Sequence, residues 1–275
     1  MDGSYDEVIR RALAEDIGSG DVTSDATIPP DAEAEANITA KQDLILAGLE
    51  AARLVFQQVD PAVRFEPRAK DGDTLKNGAI IARVSGRTRS LLAGERVALN
   101  LLQHLSGIAV LTAKYVNLVK GTRARILDTR KTLPGLRQLE KYAVTVGGGM
   151  NHRMGLFDMV LIKDNHIKAA GGIAPAVRLA REKHRQRYRI EVEASSLEDV
   201  REALSAGADN IMLDNMQSGM MREAVQLIAG KVPVEASGNV SLETVRDIAK
   251  TGVDYISVGA LTHSAPAADI SMKIQ

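Results

Sequence analysis

The sequence predicts an α/β fold, with a (β/α) barrel in its second half. Short β-rich apolar runs alternate there with helical stretches. One helix–Gly–strand segment recurs, and charged or Gly-containing residues stand where the apolar runs stop. Alternating strands and helices over this length imply a parallel sheet with right-handed crossovers.

The expected strands are Ala124 to Thr129, Met159 to Lys163, Arg189 to Glu193, Asn210 to Asp214, Val232 to Ala236 and Tyr255 to Gly259. Helical stretches lie between them at Gly172 to Arg187, Ser196 to Ala206, Gly219 to Ala229 and Ser241 to Thr251. The recurring segment is SLEDVREALSAGADNIMLD (Ser196 to Asp214), which aligns without gaps on SLETVRDIAKTGVDYISVG (Ser241 to Gly259). Both copies open on an N-cap Ser with acidic residues in the first turn. Both carry a Gly past the helix end, Gly207 and Gly252. An Asp then leads into each strand, Asp209 and Asp254. A doubly wound open sheet uses the same units and stays open as the structural alternative.

The first half reads as mixed α and β. Asp6 to Glu15 forms a short helix ending near Gly18-Ser19-Gly20, and Ala34 to Ala40 and Leu44 to Ala47 form strands. Leu49 to Gln58 is helical and stops at Asp60-Pro61. Turn signals at Asp71-Gly72-Asp73 and Lys76-Asn77-Gly78 flank short strands such as Ala79 to Val84. From Leu91 to Val119 apolar residues recur at helical spacing, with a break expected at Gly107.

The 275 residues are 45% hydrophobic but only 3% aromatic, without Trp, so Ala, Val, Ile and Leu must fill the core. Cys is absent, which excludes disulfides, thiolate metal sites and a Cys nucleophile. This fits a cytoplasmic protein. The N-terminus has no apolar signal region, and no apolar run reaches the ~20 residues of a membrane span. A formal net charge of +0 argues against nucleic-acid or membrane binding. The charge is uneven, however. From Arg123 to Lys168 nine Lys/Arg face four Asp/Glu, which suggests a pocket for a small anion.

In an α/β barrel the active site sits at the C-terminal ends of the strands. The apolar runs here end in Asp128-Thr129-Arg130-Lys131, Lys163-Asp164, Glu193, Asp214, Ser237-Gly238 and Val258-Gly259. The small-residue turns Ser237-Gly238-Asn239 and Gly259-Ala260 suit a phosphate, since backbone N–H groups can approach it there. Glu193 and Asp214 close adjacent strands and suit Mg²⁺ or Mn²⁺ shared with a polyphosphate or ribose, or direct stabilisation of an electron-poor sugar carbon. Glu191 is expected on the other side of its strand, as a structural acid. Arg130, Lys131, His152, Arg153 and Lys163 form the cationic part. For any one of these cations a solvated surface position is the simpler reading. For the set it is not, because five would have to coincide near one rim. Gly147-Gly148-Gly149 lacks dinucleotide-fingerprint spacing and reads as a flexible loop.

The motifs EDIGSGDVTSD, ERVALNLLQHLSGIA, LDTRKTLPGLRQLEKYAV, GGGMNHRMGLFDMVLIKDNHI, IEVEASS, IMLDN, EASGNVSLETV and GVDYISVGALTHS resemble, in order, those of the quinolinate phosphoribosyltransferases. The resemblance runs from about Glu15 to His263. It implies an N-terminal α/β sandwich domain (residues 1–108, with a C-terminal tail 265–275 packing back on it) and an open-sided barrel of about six strands (109–264). It implies phosphoribosyl transfer from phosphoribosyl pyrophosphate to quinolinate with decarboxylation and Mg²⁺, in NAD biosynthesis. It further implies a homodimer or higher homo-oligomer in which Arg96 reaches the neighbouring site.

Carried over by motif, Arg96, Thr129, Arg130, Lys131, His152, Arg153 and Lys163 bind quinolinate. Glu193 and Asp214 face ribose and metal, and both act in catalysis with Lys131 and Lys163. Ser237, Gly238 and Asn239, with Val258, Gly259 and Ala260, hold the 5′-phosphate. Asn239 departs from the family's more frequent Gly, which bears on phosphate affinity. Two other readings compete. One is a same-fold paralogue of the molybdenum-transport-associated type acting on another acidic substrate. The other is a non-catalytic barrel binding a phosphorylated metabolite.

Overall fold

The computed structural model describes residues 4–275, which form two compact units. Along the chain the elements are α1 (Ser4–Ile17), α2 (Val22–Thr27), β1 (Glu33–Ala40), β2 (Leu44–Ile45), α3 (Leu49–Val59), β3 (Arg64–Pro67), β4 (Thr74–Leu75), β5 (Ile80–Arg87) and α4 (Thr88–Leu118). There follow β6 (Arg125–Leu127), α5 (Arg137–Val146), β7 (Val160–Ile162), α6 (Asp164–Ala170), α7 (Ile173–His184), β8 (Ile190–Ala194), α8 (Leu197–Ser205), β9 (Asn210–Asp214), α9 (Ser218–Ile228), β10 (Val234–Ser237), α10 (Val245–Ala249), β11 (Tyr255–Ser257), α11 (Ala260–His263) and β12 (Ile270–Ile274). Among the described residues no helix is long and apolar enough to cross a membrane.

The first unit takes residues up to Leu111, Leu133–Gly148 and Ser264–Gln275. Its antiparallel sheet has the order β12-β1-β5-β3. Helix α3 buries Ala51, Ala52, Val55 and Phe56, one apolar stripe at helical spacing. The expected break at Gly107 is absent, and α4 runs through it. Gly107 serves the tail instead: a Cβ there would stand 2.1 Å from the Pro266 carbonyl oxygen. The segment 133–148, read from sequence as part of the barrel, belongs to this unit. Helix α5 buries Leu139, Glu140, Ala143 and Val144, and the Glu140 carboxylate lies 2.8 Å from His104 Nε2.

The second unit takes Thr112–Thr132 and Gly149–His263. Its six strands are parallel, in the order β6-β11-β10-β9-β8-β7, with β6 and β7 as the two ends. That is a barrel open on one side. The sequence had left an open doubly wound sheet as the alternative; sequential neighbours from β7 to β11, with β6 beside β11, give the barrel order instead. Ala194, Leu213, Ala236, Ile256 and Ile126 lie side by side in register and are all buried, giving the sheet an apolar face for the helices.

Both copies of the repeat use their Asp alike: Asp209 accepts from Ile190 N at 2.7 Å, and Asp254 from Val234 N at 2.9 Å. Their helix starts differ. Ser196 and Asp199 form a reciprocal capping box on α8. Ser241 is not an N-cap, because a tight turn follows it and α10 begins only at Val245.

Candidate active site

Strand side chains alternate, so the face opposite the apolar row belongs to Glu191 and Glu193 on β8, Asn210, Met212 and Asp214 on β9, Glu235 and Ser237 on β10, and Ser257 on β11. This row faces the barrel lumen. Barrel interiors are ordinarily filled with Val, Ile and Leu; this one is strongly polar. The expectation that Glu191 points to the other side of its strand is therefore wrong. It is two residues from Glu193 and shares its face.

The segment after α5 brings the His-Arg pair to this lumen. Met150 bridges in parallel to Leu127 on the outer edge of β6, donating to Ile126 O at 2.9 Å and accepting from Asp128 N at 3.1 Å. The buried Asp128 carboxylate then accepts from His152 N at 2.8 Å. His152 Nε2 lies 3.0 Å from Glu191 Oε2 and 3.5 Å from Glu235 Oε2, and Arg153 N donates to its Nδ1 at 2.8 Å. The sequence reading gave this imidazole to quinolinate, but the structure commits both ring nitrogens to the protein.

Burial opposes a charge on the His152 ring, but hydrogen bonds and fields from Glu191 and Glu235 outweigh it and lift its pKa to about 10. Burial, then the field of Glu191, push the Glu235 pKa up as well. These are two views of one shared proton. The Arg153 N–H at Nδ1 needs a bare nitrogen there, which favours that proton on the Glu235 side.

Arg153 donates to Met159 O at 3.2 Å. Its basicity is lowered, first by burial and then by the nearby like charge of Arg130. Two guanidiniums held against their own repulsion suit an incoming anion. The following turn is fixed by Asp158, whose carboxylate accepts from Met154 N at 2.6 Å and Gly155 N at 3.0 Å. Leu156 and Phe157 on this turn are 76% and 71% exposed.

Lys163, at the end of β7, places its Nζ 2.8 Å from Glu193 Oε2. Thr129 Oγ1 accepts from Lys131 N at 3.1 Å. The Lys131 side chain passes over Gly259, where a Cβ would meet its Cδ at 2.9 Å, and Thr262 Oγ1 donates to Lys131 O at 2.8 Å. The turns after β6 and β11 therefore meet. Val258 is buried, so only its backbone can serve a ligand. Asp214 accepts from Asn215 Nδ2 at 2.7 Å. Asn239 takes φ 53°, the left-handed conformation that Asn tolerates, and its Nδ2 donates to Asn215 Oδ1 at 3.0 Å. Gly238 has φ 88°.

Arg96 lies on the exposed side of α4 in the first unit. Glu191, Glu235, Asn210 and Asp128 were not selected as functional from sequence. For Glu191 and Glu235 the signal is a charge inside an apolar strand run, as in IEVE and VPVEAS.

Two family models match the chain: the quinolinate phosphoribosyl transferase N-terminal domain over residues 21–106 and its C-terminal domain over residues 108–273. The chain is similar to a tobacco protein named quinolinate phosphoribosyltransferase [decarboxylating] 2b, mitochondrial, at 48% identity over 98% of this chain and 83% of that one. It is similar to the probable nicotinate-nucleotide pyrophosphorylase [carboxylating] of Bacillus subtilis, at 46% identity over 98% and 92%. Among solved structures, NadC from Streptococcus pyogenes superposes with a TM-score of 0.96 at 44% identity, covering 100% of this chain and 98% of that one.

Proposed function

The chain belongs to the quinolinate phosphoribosyltransferase family, and from that premise we propose that it transfers the phosphoribosyl group of phosphoribosyl pyrophosphate to quinolinate. The products are nicotinate mononucleotide, pyrophosphate and CO₂, on the route to NAD. Family membership carries the substrate choice, and the two guanidiniums at the barrel rim agree with it. Arg130 is close enough to Arg153 to lower its basicity further than burial alone. A ligand with two carboxylates on one small ring relieves that repulsion.

In this reading the ring nitrogen of quinolinate attacks the anomeric carbon as pyrophosphate departs. Positive charge develops on the sugar, and Glu193 and Asp214 offset it. Lys131 and Lys163 offset the charge of the leaving group. At rest Lys163 is paired with Glu193 at 2.8 Å, so an arriving anion competes for that ammonium and frees the carboxylate for the sugar. N-ribosylation turns the ring into a pyridinium, whose positive nitrogen stabilises the electron pair left on the adjacent carbon when its carboxylate leaves as CO₂; that carbon then takes a proton from water to give nicotinate mononucleotide. Arg130, Arg153 and Thr129 orient the diacid, chiefly a positioning role. Ser237, Gly238, Asn239 and the backbone of Val258, Gly259 and Ala260 hold the 5′-phosphate.

Two carboxylates without His or Cys among them suit Mg²⁺, a hard cation that takes oxygen ligands. Glu193 and Asp214 would hold the ion, which would offset the charge of the departing pyrophosphate. The cytoplasm is the compartment this reading assigns, on the Cys-free composition.

A homodimer sharing its sites through Arg96 completes the proposal. The exposed Leu156 and Phe157, next to Arg153, support a second copy covering that loop. Chains carrying Arg96→Ala, mixed with chains carrying Arg153→Ala, should recover activity that neither variant has alone. No recovery in verified mixed dimers removes Arg96 from the neighbour's site. The founding test is direct. Protein incubated with quinolinate, phosphoribosyl pyrophosphate and Mg²⁺ should release pyrophosphate and CO₂ in equal amounts. No release overturns the function.

A further inference from the structure

We propose that Glu191 and Glu235, buried in the barrel beneath the site, are positioning residues that hold the His152 ring so that its Nδ1 anchors the Arg153 backbone and aims Arg153 at a quinolinate carboxylate. The inference rests on the reading of quinolinate as the acidic substrate.

Both carboxylates are almost without solvent, at 0% and 1% exposure, in lumen positions that apolar side chains usually fill. Burying charged groups this way costs stability unless they are paired and hydrogen-bonded. The pairing is supplied by two groups. Asn210 Nδ2 donates to Glu191 Oε1, and the same His152 Nε2 faces Glu191 at 3.0 Å and Glu235 at 3.5 Å.

The imidazole is thus a strut. One nitrogen stands on the barrel floor and the other holds the rim. The rim segment is fastened at three nearby points: Met150 on the β6 edge, His152 N on Asp128, and Arg153 N on His152 Nδ1. Of these, only the last depends on the orientation of the ring, and that orientation is set by the two acids.

Two other uses of the cluster fail on geometry. A metal ion bound to Nε2 would put the imidazole proton on Nδ1, directly opposing the Arg153 N–H that points at it from 2.8 Å. A proton relay to the substrate needs a ring nitrogen facing the substrate, and both nitrogens face protein groups.

The test uses the whole enzyme and measures the affinities for quinolinate and for phosphoribosyl pyrophosphate separately by calorimetry. Glu191→Gln and Glu235→Gln keep shape while removing the carboxyl group that each presents to His152 Nε2. Each should raise the quinolinate Kd about ten- to a hundredfold, the scale of a misaimed contact. The phosphoribosyl pyrophosphate Kd should stay within about twofold, because sites without shared partners act independently.

Asn210→Leu, which strips Glu191 of a donor from another strand, should act in the same direction and decides the matter by the same criterion if a Gln variant does not fold. Adding Glu235→Gln to Arg153→Ala should cost no further quinolinate affinity. Folded variants with wild-type quinolinate affinity overturn the inference. Equal losses for both substrates do so too, as does an additive effect on top of Arg153→Ala. Wild-type protein measured alongside separates the two readings. If it fails to bind quinolinate, the substrate assignment falls and takes this inference with it. If it binds while the variants match it, only the inference falls.

Discussion

Gly238→Ala tests whether the turn after β10 is shaped for a phosphate. Gly238 sits at φ 88°, and a Cβ there would lie 2.1 Å from Asn215 Oδ1, 2.6 Å from its Cγ and 3.1 Å from its backbone N. The side chain of Asn215 cannot simply swing away, because it bonds Asn239 at 3.0 Å on one side and Asp214 at 2.7 Å on the other. Left-handed strain on Ala costs about 1–2 kcal/mol. Losing one of those hydrogen bonds costs about 1 kcal/mol more. The expected total is about 2–3 kcal/mol, felt first as a loosened turn. In thermal unfolding the variant should melt below wild type. In calorimetry its phosphoribosyl pyrophosphate Kd should rise by about tenfold, an energy of ~1.4 kcal/mol, with quinolinate affinity unchanged. Gly219→Ala is the control, since nothing lies within 4 Å of its added Cβ. A Gly238→Ala protein with wild-type melting and wild-type phosphoribosyl pyrophosphate affinity would refute the reasoning.

Arg153→Ala should abolish tight quinolinate binding while leaving circular dichroism and melting near wild type; normal quinolinate affinity in calorimetry removes Arg153 from the role. Glu193→Ala should lower kcat more than it raises either KM in steady-state assays, and an effect confined to KM would reassign it to ground-state binding. Asp199 gives the pH prediction. Burial works against its charge, but hydrogen bonds from Ser195 N, Ser195 Oγ and Ser196 N, each 2.9 Å, win and hold its pKa below the usual value. Its contribution is therefore present above the unfolded carboxylate pKa and is lost as pH falls through the folded one. Asp199→Ala should destabilise by about 1 kcal/mol at pH 7. The difference from wild type should shrink in acid, as read by denaturant titration at several pH values; a constant difference from pH 7 to pH 3 would refute it.

The barrel was legible because its strands are short apolar runs with polar ends. All six fall within the expected segments or within a residue of them. The rim residues followed from where those runs stop. Three things were not legible, each for a physical reason. Gly107 looked like a helix break because glycine weakens helices, but the close approach that requires it comes from Pro266, far along the chain. Segment 133–148 looked like barrel because it lies between two barrel strands in sequence. Its membership is set by contacts such as His104 with Glu140, which no local pattern encodes. The lumen acids were missed through a face error. Period-two alternation puts Glu191 with Glu193, and applying it would have marked a buried acid in a barrel, already a sign of function.

The edge strand β12 pairs with β1 through Ala36 to Ala40, and its residues 270–274 follow all six barrel strands in the chain. During translation, therefore, the barrel's residues emerge from the ribosome before the first sheet receives its outermost member. Until then β1 offers an unpaired backbone edge to anything nearby. Nascent chains stalled just short of residue 270 should be the form most in need of a chaperone.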